Sequence, residues 1–166
     1  MSEETPPRPL EGLLTAAREG QLSVNLGAGA STDSVRMNAE EFVYIERDCE
    51  GFKLLIQELQ ITAEEIWKRE RWDIGEGSDD LHSAKTLVNR FRHKAKGSGD
   101  GNDVFAILEQ HYQIVVDIQE LHRAIAQRYM ATDDAFAARY NELMASAPPS
   151  VPLQLPPAFP IPPGVG

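Results

Sequence analysis

The chain has 166 residues, and its 16 Lys and Arg face 26 Asp and Glu, a net charge of −10 at neutral pH. That length fits one domain with tails, and the acidic balance argues against a nucleic-acid partner, whose phosphates need a net basic face. A lone cysteine, Cys49, excludes an internal disulfide framework and any multi-cysteine metal site, and no apolar run reaches the ~18 residues of a membrane span.

Eleven prolines bracket the chain. Three fall in residues 6–9 and eight in residues 148–163, so residues 10–147 are proline-free. With few aromatics and few β-branched runs, that stretch reads as all-α and the ends as disordered. Three regions follow: residues 1–37 as a mostly flexible N-terminal segment, residues 38–146 as a helical-hairpin domain, and residues 147–166 as a Pro-rich disordered tail. Within the first, residues 9–19 can form one short amphipathic helix through Leu10, Leu13, Leu14 and Ala17. The first residues carry neither the basic region nor the apolar stretch of a secretory signal.

Spacing predicts the helices. Phe42, Ile45, Cys49, Phe52, Ile56, Leu59, Ala63 and Ile66 alternate at steps of three and four, one continuous apolar seam on a seven-residue repeat. Asn38 with Glu41 three residues on is a capping-box pattern, and Lys68, Arg69 and Arg71 suit the negative end of the helix dipole. The first long helix is therefore placed at about 38–72. Gly75 and Gly77 end it, and a shorter helix follows at about 79–96, its apolar stripe at Leu81, Ala84, Val88, Phe91 and Ala95 and its end basic at residues 90–96. A glycine-rich break leads to Asn102 or Asp103 as the next cap.

The last helix is placed at about 103–146. Val104, Leu108, His111, Val115, Ile118, His122, Ile125, Tyr129, Thr132, Phe136 and Leu143 keep the same alternation, and Ile107, Ile114 and Leu121 widen its first half. Two such helices make an antiparallel hairpin with the short third helix packed on one end. A hairpin buries little surface for its entropy cost. Phe42, Ile45, Phe52, Ile56, Leu59, Val115, Ile118 and Ile125 are therefore expected to meet a helical partner, in a homo- or hetero-dimer.

Reactive chemistry is scarce. Residues 27–32, Gly-Ala-Gly-Ala-Ser-Thr, lack the Gly-Lys-Ser/Thr of a phosphate loop. Glu109 with His111 and Glu120 with His122 place each acid and imidazole about 200° apart on a helix, unlike the i, i+3 pairs of di-iron bundles. No nucleophile and base can be paired, and Cys49 inside the seam reads as a small apolar residue. The basic cluster at 90–96 reads as a solvated helix C-terminus. No catalytic residue, no metal ligand and no cofactor is called for.

One constellation stands apart. Trp72 and Gly75 lie at the first turn in Trp-x-x-Gly form, and late in the last helix Tyr129 is followed by Asp133 and then Phe136. The pattern resembles the small helical substrates of actinobacterial type VII (ESX) secretion systems, the WxG and Esp-like hairpin families. The resemblance implies a turn motif at Trp72 and Gly75 and an export signal at Tyr129, Asp133 and Phe136. Tyr at i and Asp at i+4 would present one ring and one carboxylate together on a helix face.

What the resemblance implies is a non-enzymatic protein, secreted or held in the cell envelope by a route that needs no signal peptide, with the export motor ATPase as a second partner. The other reading is a cytoplasmic coiled-coil adaptor or chaperone that holds a helical partner along its seam. The uncharged proline-rich tail, with Leu153, Leu155, Phe159 and Ile161, reads as a polyproline-like end able to dock in an aromatic groove.

Overall fold

A computed structural model describes residues 8–22 and 38–152. Of the flexible segment expected over residues 1–37, residues 1–7 and 23–37 lie outside the described residues, as does most of the Pro-rich tail. The regular elements are five α-helices: α1 Glu11–Glu19, α2 Ala39–Lys68, α3 His82–Ala95, α4 Val104–Met130 and α5 Asp134–Ser146. Among the described residues there is no strand, and no helix is long and apolar enough to cross a membrane.

The 30 residues of α2 span about 45 Å at 1.5 Å per residue. The helix starts where its sequence signal lies: the Asn38 side chain accepts the Glu40 N–H at 3.0 Å, and Glu40 and Glu41 follow in the positive first turn. α4 runs antiparallel to it. Glu46 meets Arg123, Lys53 meets Gln119 and Gln60 meets Glu109, so numbers rise along one helix as they fall along the other.

α2 stops at Lys68, four residues short of the predicted 72, because an acid organises the connection. The Glu76 carboxylate accepts the backbone N–H groups of Trp72 (2.5 Å), Asp73 (3.1 Å) and Ile74 (3.0 Å). Those donors, Trp72 first, hold the Glu76 carboxyl down to about 2 from an ordinary 4.5. A carboxyl whose folded value is depressed contributes fully above its unfolded value and loses that contribution as pH falls through the folded one. Tryptophan emission from Trp67 and Trp72 should therefore shift as pH drops from about 4.5 toward 2. In Glu76→Gln that step should vanish, with emission at neutral pH already resembling the acid form of the parent. In the same loop Gly75 has φ +96°, and a Cβ there would stand 2.6 Å from Leu81 Cδ1. The backbone demands glycine, while the exposed Leu81 side chain could move aside.

α3 lays Ala84, Val88 and Ala95 inward, and Lys96 closes it on the hairpin by pairing with Glu64 at 2.7 Å and lying 3.8 Å over the Phe105 ring. Asp103 then starts α4: one oxygen accepts the Ala106 N–H at 2.8 Å, the other those of Gly97 and Ser98 at 3.0 Å. The Ala106 N–H leads the donors that lower the Asp103 carboxyl below its usual range.

The expected helix over 103–146 is two helices. Register explains the break. With Arg123 level with Glu46 and α2 beginning at Ala39, the first helix offers nothing to pack against beyond about residue 130 of α4. A straight continuation would carry Phe136 and Leu143 into water. Instead the Thr132 and Asp133 N–H groups both turn back to the Tyr129 carbonyl, at 3.0 and 2.9 Å, and α5 folds against α2. Phe136 then joins Phe42, Ala39 and Ala126 in one buried cluster, flanked by Ile125, Tyr129, Met130, Tyr140 and Leu143.

The short N-terminal helix forms and packs on α4. Leu14 and Ala17 are buried, and the anchor is Asp117, wholly inaccessible to solvent. Its carboxylate accepts from Arg8 Nε at 2.8 Å, from Arg8 Nη2, and from the Leu10 N–H at 3.1 Å. An acid on α4 thus caps α1, whose own N-cap, Leu10, has no side-chain acceptor.

Candidate functional site

The long helices pair along a line rotated from the predicted seam. On α2 the positions Phe42, Cys49, Ile56 and Ala63, seven apart, are buried as expected. Between them the contact line runs through Glu46, Lys53 and Gln60, not through Ile45, Phe52 and Leu59. On α4 it runs through Glu109, Gln119, Arg123 and Ala126, and the same spacing places Phe105, Tyr112 and Val116 on it.

A polar lock causes the rotation. Gln119, only 2% exposed, accepts from Lys53 Nζ at 2.8 Å and donates to Glu46 Oε1 at 2.7 Å and Glu50 Oε1 at 2.8 Å. Arg123 Nε lies 3.0 and 3.1 Å from the two oxygens of buried Glu46, with Nη2 on the same carboxylate. The Lys53 ammonium, ahead of the other partners, lowers the Glu50 carboxyl, and Glu46 raises the Arg123 guanidinium. Each buried polar atom in this lock has a partner that a one-residue slip would remove, so the lock sets register.

The consequence is an open apolar face. Ile45, Phe52, Leu59 and Ile66 on α2, and Val104, Leu108, His111, Val115 and Ile118 on α4, each stand one residue before their helix's contact line. One residue is a 100° rotation, and because the helices are antiparallel, equal rotations bring both stripes to the same side of the pair. Burial agrees: Phe52 is 48% exposed, Ile66, Val104 and His111 are exposed, and Ile45, Leu59, Leu108, Val115 and Ile118 are half-buried. α1 covers another flank of α4, at Asp117, Glu120 and Arg128.

The predicted interface set therefore divides. Phe42 and Ile56 are spent inside the chain and cannot meet a partner, which corrects the expectation for them. Ile45, Phe52, Leu59, Val115 and Ile118 remain on the open face. Ile125 packs against the Phe136 cluster.

Tyr129, Asp133 and Phe136, expected as an export signal, do not share one helix face. Tyr129 ends α4, half-buried, with its ring 5.8 Å from that of Phe136. Asp133 is the N-cap of α5, and its carboxylate accepts the Phe136 N–H at 3.0 Å. Phe136 is 6% exposed and packs edge-on to Phe42 at 5.8 Å. The expected i, i+4 ring-and-carboxylate pair on a continuous helix is corrected to a helix–helix corner, since the backbone leaves helical geometry between them and Phe136 faces the core. Trp72 and Gly75 lie in the loop after α2, where Trp72 stacks on Phe91 at 5.6 Å and donates Nε1–H to the Arg69 carbonyl at 3.2 Å.

Reasoning from sequence missed the polar lock and Asp117. Asp133 did carry a signal: a Thr-Asp-Asp run is N-cap composition. Among the described residues no three His, Cys, Asp or Glu side chains group as metal ligands. His122 donates Nδ1–H to the Ile118 carbonyl at 2.8 Å and sits 6.1 Å from the Phe42 ring, while His111 is exposed. What the arrangement offers chemically is an uncharged, heptad-spaced apolar surface two helices wide. The chain matches no known protein family, no curated protein and no solved structure.

Proposed function

We propose that this chain is a non-enzymatic helical protein that works by pairing with another helical protein through the open α2–α4 face. The observation that carries the reading is that face: apolar side chains seven apart on α2 and at three-four spacing on α4, with Glu46, Lys53 and Arg123 turned into the intrachain seam. Such a surface takes knobs from a further helix, in a homo- or hetero-dimer. We propose further that the protein leaves the cell through a type VII (ESX) system, read at the α4–α5 corner by Tyr129 together with Asp133. The exposed Thr132–Asp134 backbone and the Tyr129 ring are what that corner offers a receptor.

The test is an export assay in the native host, with and without the secretion motor ATPase. Asp133→Asn keeps an N-cap acceptor while removing the charge, so it should lower the amount in the culture filtrate at least tenfold with helicity by circular dichroism unchanged. Retention in the cytosol whether or not the ATPase is present would sink the export reading. It would leave the cytoplasmic adaptor, which uses the same face.

A further inference from the structure

The charge of the chain is segregated. Residues 67–97 carry eight Lys and Arg against five Asp and Glu, a balance of +3, whereas the rest of the chain carries eight against 21, or −13. That basic stretch is the end of α2, the Glu76 loop and α3, one end of the molecule. Lys68, Arg71, Lys85 and Lys96 are matched to carboxylates. Arg69 and Arg90 pair with no carboxylate among the described residues, while Lys94 donates to the Asn102 carbonyl at 3.2 Å and, behind the Ser98 hydroxyl, its charge helps lower the Asp100 carboxyl.

The same end exposes its largest apolar side chains. Leu87, Arg90, Phe91 and Lys94, at i, i+3, i+4 and i+7, share one side of α3, and all four are exposed. Trp72 stacks on Phe91, nearly coplanar at 9°, and the Arg69 guanidinium lies 5.3 Å over the Trp72 ring. Ile74 and Leu81 of the loop are exposed beside them. His93 and Arg90, with Thr86, Asn89 and Lys94, line an open depression on the neighbouring side of α3. Cations alone would read as a helix C-terminus offsetting its dipole. Cations interleaved with a half-buried indole stacked on an exposed phenyl ring, and with two exposed loop aliphatics, are the composition of a lipid headgroup boundary.

We propose that this end docks peripherally on an anionic lipid surface. Phe91, Trp72, Ile74 and Leu87 enter the headgroup layer, Arg69, Arg90 and Lys94 meet lipid phosphates, and the acidic remainder of the chain points to water. The two segregated charge balances orient the approach, because the −13 part is repelled by the surface that attracts the +3 part. No helix spans the bilayer in this arrangement, and the polar lock and open face stay untouched.

The full chain is sedimented with vesicles of phosphatidylcholine alone and of phosphatidylcholine with phosphatidylglycerol. Both tryptophans, Trp67 and Trp72, lie in the docking end, so their emission reports directly. The expected result is binding to the anionic vesicles only, a blue shift on binding, and release at high salt. Arg90→Gln with Lys94→Gln, both exposed, should weaken the partition about 30-fold, given the attraction of each surface cation, with circular dichroism unchanged. No binding, equal binding to neutral vesicles, or binding unaffected by the double substitution overturns the proposal. Saturable binding to polyglutamate without vesicle binding overturns it too, in favour of an acidic protein partner.

Discussion

Phe136→Ala should cost about 3–5 kcal/mol of stability, the range for truncating a fully packed aromatic. The ring is the hub of the cluster that holds α5: it meets Phe42 edge-on at 5.8 Å, Tyr129 at 5.8 Å and Tyr140 at 6.1 Å. Removing it opens a void among side chains on three helices. Since domains are stable by only about 5–15 kcal/mol, the loss is a large share of the total. Urea denaturation followed by circular dichroism measures it. Hydrogen exchange should show the α5 amides losing protection first, with the α2–α4 pair following only as the whole fold weakens. Phe136→Leu keeps apolar volume and should lose less than half as much. Equal and small effects of both substitutions would mean that α5 is held by something other than this ring.

Asp117→Ala is the second large effect. The carboxylate is wholly inaccessible to solvent and accepts three hydrogen bonds, two of them from Arg8. Deleting a buried acceptor of charged and backbone donors costs about 2–3 kcal/mol, and here the loss falls on one element. α1 makes its polar attachment to α4 through Asp117, Glu120 and Arg128, so exchange of the amides of residues 11–19 should accelerate by one to two orders of magnitude, converting that energy at about 1.4 kcal/mol per tenfold. The α2–α4 amides should stay protected. Asp117→Asn retains an acceptor for the Leu10 N–H and should lie between the two. Unchanged exchange in α1 would show that Leu14 and Ala17 alone hold it.

The two predictions mark where the sequence is readable and where it is not. The start of α2 at Asn38, the buried heptad Phe42, Cys49, Ile56 and Ala63, and the cap at Asp103 are local or periodic signals, and the structure places them accordingly. The rotation of the seam was not legible. Glu46 and Gln119 are buried because they satisfy each other across a separation of 73 residues, and no local pattern announces such a pair. Burial of a polar side chain is normally unfavourable, so hydrophobic periodicity assigns the contact line to Ile45, Phe52 and Leu59 and puts Glu46, Lys53 and Gln60 outside. The break after Met130 was hidden differently. Tyr129, Thr132, Phe136 and Leu143 continue the three-four alternation through it, and only the end of α2 at Ala39 decides that the chain must fold back. Asp133 carried a cap signal that the unbroken alternation outweighed. For the export signal expected at Tyr129, Asp133 and Phe136 the same break matters most, since that expectation rested on one continuous helix.

The attachment of α1 has a consequence in time. Arg8 is made 109 residues ahead of its partner, Asp117. At ordinary elongation rates of about 5–20 residues per second, that interval is about 5–20 s, long compared with the microseconds in which a helix forms. During synthesis, then, the amphipathic segment of Leu13, Leu14 and Ala17 emerges with nothing of its own chain to cover it. α4 must leave the ribosome before α1 has a seat, so α1 is seated by a helix made about a hundred residues after it.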